Sequence, residues 1–153
     1  MISVIIPALN EELTVGDVVR GVRGALATGA RDTEVIVVDG GSTDATARQA
    51  ELAGARLISK PGAGKGTCVR EGISAARGDT LVLLDSDGQD VPAELASLIR
   101  AFRASRSDFV SGPAFWRMRS GTAILPTSWS RKPYSRLGSS SSSGASALVS
   151  SQA

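Results

Sequence analysis

Residues 3–27 have the sequence SVIIPALNEELTVGDVVRGVRGALA, and this stretch decides the fold class of the chain. It starts with an apolar run at 3–6, crosses a polar turn at 7–12 and continues with apolar side chains at helical spacing. A short continuous apolar run is typical of a strand buried on both faces, whereas apolar residues three and four positions apart predict an amphipathic helix. The stretch therefore predicts a strand, a loop and a helix, with the helix at 13–27.

The same unit recurs along the chain as far as Gly112. Further strands are predicted at 34–38, 56–59, 80–84 and 108–110, and a last helix at 92–104. In the second helix, Ser42 or Thr43 is expected to cap the N-terminus and Gly54 to end the helix. This alternation predicts an α/β fold with a mostly parallel, Rossmann-like sheet and helices on both faces. Ligands of such folds bind at the carboxyl ends of the strands, so functional residues should follow each strand.

The bulk composition indicates one soluble domain. The chain has 153 residues, of which 42% are apolar, and this is enough for a single buried core. Its one cysteine, Cys68, cannot form an internal disulfide, and we expect it to be a small buried residue on the third helix. No segment approaches the roughly 20 apolar residues of a membrane span. A cytoplasmic protein without a transmembrane segment is expected, and peripheral contact with the inner face of the membrane stays open.

Charge is distributed unevenly along the chain. Up to Gly112 there are 12 basic and 15 acidic side chains, and after it five basic and no acidic ones. The high isoelectric point thus comes from the last residues, and because no nucleic-acid motif accompanies it, nucleic acid is not an expected partner. The helical and strand patterns also stop at Gly112. The predicted organisation is a domain at 1–112, an aperiodic basic segment at 113–137 and a Ser-rich disordered tail at 138–153.

Two carboxylates follow the fourth predicted strand, in the sequence Asp85-Ser86-Asp87. If the strand continues through them, side chains two residues apart point the same way and both can reach one hard cation. Magnesium or manganese bound to a diphosphate is a common reason for such a pair, because the metal neutralises charge on the leaving group. The alternative is that the aspartates only end a strand and begin an Asp-Gly turn.

A third candidate carboxylate, Asp39, follows the second strand and precedes two glycines and a helix. In dinucleotide-binding folds an acidic residue at this place accepts hydrogen bonds from the ribose, and Asp39 could serve a base or a ribose in the same way. The alternative is that Asp39 and Asp44 only cap a helix and shape a turn. The polar loop at 7–12 is equally compatible with a ligand contact and with plain architecture.

Four motifs in order make the chain resemble the family-two glycosyltransferases, which have the GT-A fold. They are PALNE at 7–11, VDGGSTDAT at 38–46, GKGT at 64–67 with RGD at 77–79, and LDSDGQ at 84–89. The resemblance covers 1–112. Within the family, PALNE and DSD are similar to glucosyl-3-phosphoglycerate synthases, and the D-x-D-x-Q pattern is similar to polyprenyl-phosphate sugar synthases.

This resemblance implies a role for particular residues and a class of substrate. The implied donor-binding residues are Pro7, Ala8, Leu9, Asn10, Glu11, Asp39, Lys65, Asp85 and Ser86. The implied ligands of Mg²⁺ or Mn²⁺ are Asp85, Asp87 and Gln89. The implied donor is a nucleotide-diphosphate sugar of the UDP-glucose or GDP-mannose class, and the acceptor is polyprenyl phosphate, phosphoglycerate or another hydroxyl compound. Many family members have a second aspartate where this chain has Gly40, so a second carboxylate contact to the ribose is in doubt.

The loop at 61–67, PGAGKGT, also resembles the phosphate loop of adenylate kinases. The pattern G-x-x-x-x-G-K-[ST] requires its first glycine where Ser59 stands and a hydroxyl residue where Gly66 stands. The kinase hypothesis also leaves the motifs at 7–12 and 39–46 unexplained. In both hypotheses Lys65 has the same task, which is to place a cation near phosphate oxygens at a helix N-terminus.

The catalytic residues are not assigned by the sequence. The resemblance implies that acceptor-binding residues and the catalytic base follow the fifth strand, yet this chain has no histidine and no acidic residue after Asp108. Because relatives continue well beyond Gly112, we expect the last segment to be a truncated or frame-shifted remnant of a longer coding region. Three function classes stay open: a metal-dependent glycosyltransferase that is inactive if its acceptor half is missing, a phosphate-loop nucleotide kinase, and a non-catalytic nucleotide-binding fragment.

Overall fold

The computed structural model describes residues 1–27, 32–88, 92–104, 110–111 and 123–126. Strands and helices alternate through most of these ranges. The strands are β1 (Ile2–Ala8), β2 (Thr33–Asp39), β3 (Arg56–Ser59), β4 (Thr80–Leu83), β5 (Val110–Ser111) and β6 (Ala123–Pro126). The helices are α1 (Val15–Leu26), α2 (Thr46–Leu52), α3 (Lys65–Ala75) and α4 (Pro92–Ala104). None of these helices is long and apolar enough to cross a membrane.

The described strands form one sheet in the order β3-β2-β1-β4-β6-β5. The first four are parallel, and β6 runs antiparallel to both β4 and β5. Ala8 of β1 pairs with Asp39 of β2, which pairs with Ser59 of β3, so the carboxyl ends of these strands lie at one edge. The mostly parallel α/β sheet predicted from the sequence is confirmed. The loops that follow β1, β2, β3 and β4 leave from the same edge.

Helices cover both faces of the sheet, and alternate residues of β1 reach the two layers. Val4 and Ile6 pack in a large apolar cluster with side chains of α1 and α4, whereas Ile5 packs in a second cluster with Cys68 of α3. Burial of each such aliphatic side chain contributes about 1.5–3 kcal/mol. At Gly72 the α3 backbone approaches so closely that a Cβ atom would lie 2.3 Å from Ile5 Cγ2. This glycine sets the distance between α3 and the sheet.

Two local predictions are wrong, and one is confirmed. Helix α1 begins at Val15, two residues later than predicted, and Leu13 is 86% exposed. Neither Ser42 nor Thr43 caps α2, because that helix begins at Thr46 and its N-cap residue is Ala45. Gly54 follows the end of α2 with φ +90°, as its predicted role at the end of that helix requires.

Strand β6 lies beyond the predicted limit of regular structure at Gly112. Its residues Ile124 and Leu125 are buried on opposite faces of the sheet, one in each apolar cluster. A run of two large apolar residues gives too little periodicity to predict a strand. The sheet therefore extends past the boundary expected from the sequence. The Ser-rich tail predicted at 138–153 and most of the basic segment at 113–137 lie outside the described residues.

Candidate donor-binding site

A cavity of about 210 Å³ lies at the carboxyl edge of the sheet. Four loops that follow parallel strands contribute to its wall. The lining residues are Pro7 and Ala8 at the end of β1, Leu9 and Glu11 after it, Gly40 after β2, Ala63, Gly64, Lys65 and Cys68 around the start of α3, and Asp85, Ser86 and Asp87 after β4. The motifs at 7–11, 64–67 and 84–89, which are far apart in the sequence, thus meet in one cavity.

Asp85 and Lys65 form an ion pair in the wall of this cavity. The Nζ atom of Lys65 lies 2.6 Å from Oδ1 of Asp85, and the two side chains are 65% and 15% exposed. Lys65 is the first residue of α3, so its ammonium group and the N-terminus of that helix are close together. This end of the cavity combines a carboxylate that faces inward with a cation that has access to solvent. Such a combination suits an anionic ligand that brings its own metal ion.

Both predicted carboxylates line the cavity although the strand ends before them. Strand β4 ends at Leu83, and the Leu84 amide still donates a hydrogen bond of 3.1 Å to the Ile5 carbonyl. The chain then bends, and Gly88 has φ +75°, in the left-handed region that favours glycine. Asp85 and Asp87 therefore lie on the cavity side of a turn. The sequence predicted that a continuing strand would point both side chains the same way. In the structure both line the same cavity, but they lie on a turn after the strand.

The donor set fits a hard divalent cation that shares its coordination with a ligand. Among the described residues there is no group of three or more His, Cys, Asp or Glu side chains that could hold a metal ion. Magnesium is commonly bound by one or two carboxylates, with phosphate oxygens and water as the other ligands, and manganese also prefers oxygen ligands. Asp85 and Asp87 meet this requirement. Gln89, the third predicted ligand, lies outside the described residues.

Small side chains form the floor of the cavity, and sequence reasoning did not select them. A Cβ atom at Gly40 would lie 3.0 Å from the Ala63 carbonyl oxygen and 3.5 Å from Cys68 Sγ. Cys68 is 2% exposed, which confirms that it is buried on the third helix. Burial and the nearby Asp39 carboxylate raise the pKa of its thiol. Small residues leave room for a ligand but supply no charge. Their role in shaping the cavity could therefore not be predicted from the sequence.

Two predicted donor-binding residues, Asp39 and Asn10, are not among the residues that line the cavity. Asp39 is 5% exposed, and its Oδ1 accepts hydrogen bonds from the backbone and the hydroxyl of Ser42. The Asn10 side chain accepts a hydrogen bond of 2.9 Å from the Thr43 amide, and the Asn10 amide donates one of 2.9 Å to Ser42 Oγ. Asn10 thus connects the loops after β1 and β2, whereas Asp39 holds Ser42 within the loop after β2. Their contact with a donor stays a prediction.

Comparison with known protein families identifies the family to which the chain belongs. The model of the glycosyl transferase family 2 matches residues 3–151 of the chain. The chain belongs to this family. The matched region includes all four motifs and extends past the predicted domain boundary at Gly112. Membership favours the glycosyltransferase hypothesis over the phosphate-loop kinase.

Individual family 2 members of known activity match parts of the chain. Glucosyl-3-phosphoglycerate synthase of Mycolicibacterium smegmatis is 42% identical over 94 residues, which are 56% of this chain and 30% of that protein. Glycosyltransferase AglJ of Haloferax volcanii is 32% identical over 121 residues, which are 78% of this chain and 38% of that protein. Undecaprenyl-phosphate 4-deoxy-4-formamido-L-arabinose transferase of Klebsiella pneumoniae is 31% identical over 105 residues. The chain spans well under half the length of these curated relatives.

A solved family 2 structure superimposes on the fold. Glucosyl-3-phosphoglycerate synthase of Mycobacterium tuberculosis, in complex with Mn²⁺, UDP-glucose and phosphoglyceric acid, matches with a TM-score of 0.67 and 27% identity. The superposition covers 84% of this chain and 57% of that one. The α/β fold described above is therefore the GT-A glycosyltransferase fold.

Proposed function

We propose that this chain binds a sugar nucleotide of the UDP-glucose class together with Mg²⁺ or Mn²⁺, as the donor half of a glycosyltransferase. The observation that carries the proposal is the meeting of Lys65, Asp85 and Asp87 in one cavity at the carboxyl edge of a GT-A sheet. The M. tuberculosis structure that resembles this chain was solved with Mn²⁺ and UDP-glucose, which supports this donor. A donor of the GDP-mannose class is the alternative to be tested.

The charges of the cavity suit the departure of a nucleoside diphosphate. A metal ion bound by Asp85 and Asp87 would neutralise the charge that develops on the leaving diphosphate. Lys65 and the N-terminus of α3 add positive potential on the same side. Because Lys65 is 65% exposed, its ion pair with Asp85 stabilises the fold by only about 0–1 kcal/mol. The lysine can therefore leave Asp85 and approach a phosphate oxygen at little cost.

The apolar and small residues of the cavity suit the nucleoside and the sugar. Pro7, Ala8 and Leu9 provide apolar surface, and the small residues Gly40 and Ala63 leave room beside it. Glu11 is the remaining acidic residue in the lining and can accept hydrogen bonds from hydroxyl groups. Mostly apolar walls with a few directed polar groups are typical of small-molecule sites.

The acceptor is proposed from the names of the relatives. The names of the relatives refer to phosphoglycerate and to undecaprenyl phosphate, and we propose an acceptor from one of these two classes. Transfer with inversion requires a base that deprotonates the acceptor hydroxyl. The chain contains no histidine and no acidic residue after Asp108, so within these residues such a base would be a carboxylate at or before Asp108.

Calorimetry with UDP-glucose, GDP-mannose and ATP, each with and without Mn²⁺, tests the donor site. We expect UDP-glucose to bind in the presence of Mn²⁺ and Asp87→Asn to weaken this binding by about 30- to 100-fold, which is roughly 2–3 kcal/mol. Asp79→Asn is the matched control, because Asp79 lies at the opposite edge of the sheet and pairs with the N-terminal amine at 3.3 Å. This variant should bind UDP-glucose as the parent chain does.

Two results would contradict the proposal. One is tight ATP binding without any response to sugar nucleotides, and the other is equal loss of binding in the Asp87→Asn and Asp79→Asn variants. Transfer of the sugar is measured separately, with phosphoglycerate and a short polyprenyl phosphate as acceptors. Binding without transfer to either acceptor would leave the donor site in place and favour the non-catalytic fragment.

A further inference from the structure

Two loops at the carboxyl edge are joined by a dense set of hydrogen bonds. We call residues 9–14, after β1, the first loop and residues 40–46, after β2, the second loop. Five of the bonds join a backbone N–H of one loop to a side-chain oxygen of the other. They are Asn10 N to Ser42 Oγ at 2.9 Å, Glu11 N to Thr46 Oγ1 at 2.7 Å, Glu12 N to Asp44 Oδ2 at 3.2 Å, Thr43 N to Asn10 Oδ1 at 2.9 Å, and Ala45 N to Glu12 Oε2 at 2.9 Å.

The bonds fix the three consecutive amides of residues 10–12. All three donate to side chains of the second loop, which determines the backbone conformation of the first loop. Asn10 has φ 56°, in the left-handed region that asparagine tolerates better than most residues. Its neighbours Leu9 and Glu11 line the cavity. Fixing these amides therefore also constrains the backbone that carries two cavity-lining side chains.

The hydroxyl groups of Ser42 and Thr46 each donate one hydrogen bond and accept another. Ser42 Oγ donates to Asp39 Oδ1 and accepts from the Asn10 amide, whereas Thr46 Oγ1 donates to Asp44 Oδ1 and accepts from the Glu11 amide. An ionised carboxylate only accepts, so each hydroxyl proton points to the carboxylate and a lone pair is left for the amide. The hydrogen bond from Thr46 lowers the pKa of Asp44, which keeps that acceptor ionised at neutral pH.

We propose that Ser42 and Thr46 are positioning residues of the donor site, whose hydroxyl groups connect the carboxylates of Asp39 and Asp44 to the amides of the first loop. The proposal rests on the proposed function, because the first loop contributes Leu9 and Glu11 to the cavity. Without the hydroxyl of Thr46, the Glu11 amide loses its acceptor and the first loop samples other conformations. A donor then binds at the cost of ordering that loop again, so its affinity falls.

Replacement of Thr46 by valine removes the hydroxyl and keeps the shape of the side chain. The matched control is Ser3→Ala at the amino edge, where Ser3 Oγ accepts from the Gly78 amide at 2.8 Å and donates to Glu34 Oε1 at 2.6 Å. Ser3 is fully buried, as is Thr46, and its hydroxyl makes the same two kinds of bond. Both variants should lower the melting temperature, which separates stability from positioning.

Calorimetry with UDP and Mn²⁺, well below both melting temperatures, gives the deciding comparison. We expect Thr46→Val to bind UDP about three- to tenfold more weakly than the parent chain, and Ser3→Ala to bind as the parent does. Thr46→Ser keeps a hydroxyl and should restore most of the affinity. Ser42→Ala should weaken UDP binding in the same direction as Thr46→Val.

Parent-like UDP binding by Thr46→Val would overturn the positioning role, and so would equal weakening in Ser3→Ala. Hydrogen exchange at the amides of residues 10–12 reports on the loop without any ligand, and faster exchange in Thr46→Val than in Ser3→Ala is expected. If the parent chain binds no UDP, the proposed function fails. If it binds UDP but exchange and affinity are unchanged in Thr46→Val, only the positioning role fails.

Discussion

Polar side chains gather at both edges of the parallel sheet, but their surroundings differ. At the amino edge, Glu34 accepts hydrogen bonds from Ser3 at 2.6 Å and from the Arg77 amide at 2.7 Å, and Arg56 lies 3.4 Å away. The Glu34 side chain is 13% exposed. At the carboxyl edge, Asp85 is similarly shielded at 15%, but its cation, Lys65, is 65% exposed and both residues line a cavity.

The difference indicates which carboxylate stabilises the fold and which one is placed to bind a ligand, as we propose for Asp85. Glu34 receives its hydrogen bonds from backbone and side chains that are held by the sheet itself, so it contributes to stability. Asp85 is paired with Lys65, whose flexible side chain can leave Asp85 and bind another anion. Similar exposure of two carboxylates therefore does not imply a similar role. Three predictions test this distinction, in addition to the two experiments above.

The largest expected effect is on stability, at the amino edge. Burial raises the pKa of Glu34, but the hydrogen bonds from Ser3 and the Arg77 amide and the charge of Arg56 outweigh it and hold the pKa below its usual 4.5. The contribution of this carboxylate is therefore fully present above about pH 4.5 and is lost as the pH falls through the lower pKa of the folded state. Glu34→Gln should lower the free energy of unfolding at pH 7 by about 1–3 kcal/mol.

Urea unfolding between pH 3 and pH 7 measures this effect. The Glu34→Gln variant should lose less stability than the parent chain as the pH falls below 4.5. Asp17→Asn is the charge-matched control, because Asp17 is 80% exposed and makes only an i,i+3 pair with Arg20 at 2.7 Å. An equal loss of stability at pH 7 in both variants would mean that burial and hydrogen bonding give Glu34 no special role. UDP affinity should be unchanged in both.

The next effect is on ligand binding, at the carboxyl edge. Lys65→Met keeps the aliphatic part of the side chain and removes the ammonium group that we assign to the donor phosphates. UDP binding in the absence of metal should weaken about tenfold, since a charge-assisted contact is lost. The free energy of unfolding should change by no more than about 1 kcal/mol, as expected for an ion pair whose lysine is exposed.

Lys60→Met is the matched control for this lysine. Lys60 Nζ lies 2.8 Å from Glu71 Oε1, and the two side chains are 47% and 38% exposed. This variant removes the same charge from a neighbouring exposed ion pair, and Lys60 does not line the cavity. Equal weakening of UDP binding in both variants would reduce the role of Lys65 to a general electrostatic one. A tenfold effect confined to Lys65→Met would support a direct contact.

The parallel strands, and the polar residues near their ends, could largely be predicted from the sequence. The strands β1 to β4 are short runs rich in Val, Ile and Leu, and the candidate site residues lie at or soon after the ends of these strands, so both could be recognised from the local sequence. The location of Lys65, Asp85 and Asp87 at one edge agrees with the expectation that functional residues follow the strands, because the carboxyl ends of parallel strands share an edge. The structure adds that these three residues line one cavity.

The remaining features depend on contacts between distant parts of the chain. Ser42 and Thr43 are residue types that commonly cap helices, but in the structure they bond to Asn10, which is more than 30 residues away. The pairing of Ala8 with Asp39 in the sheet brings the two loops together. Strand β6 was missed because its two buried apolar residues have no periodicity to detect. The small floor residues of the cavity carry no chemical signal at all.

The smallest expected effect concerns Cys68, the only cysteine of the chain, which lines the cavity but is 2% exposed. Its Sγ lies 3.7 Å from the Ala63 carbonyl, and burial together with the Asp39 carboxylate raises the pKa of the thiol. A neutral, buried thiol is a poor nucleophile, so modification by iodoacetamide at pH 7 should be much slower than that of a free cysteine. Cys68→Ala should change UDP affinity less than about threefold, because the residue supplies shape and no charge. Rapid modification at pH 7, or a loss of UDP binding in Cys68→Ala that matches Lys65→Met, would mean that this floor residue belongs with the chemistry of the carboxyl edge and not with the packing of α3.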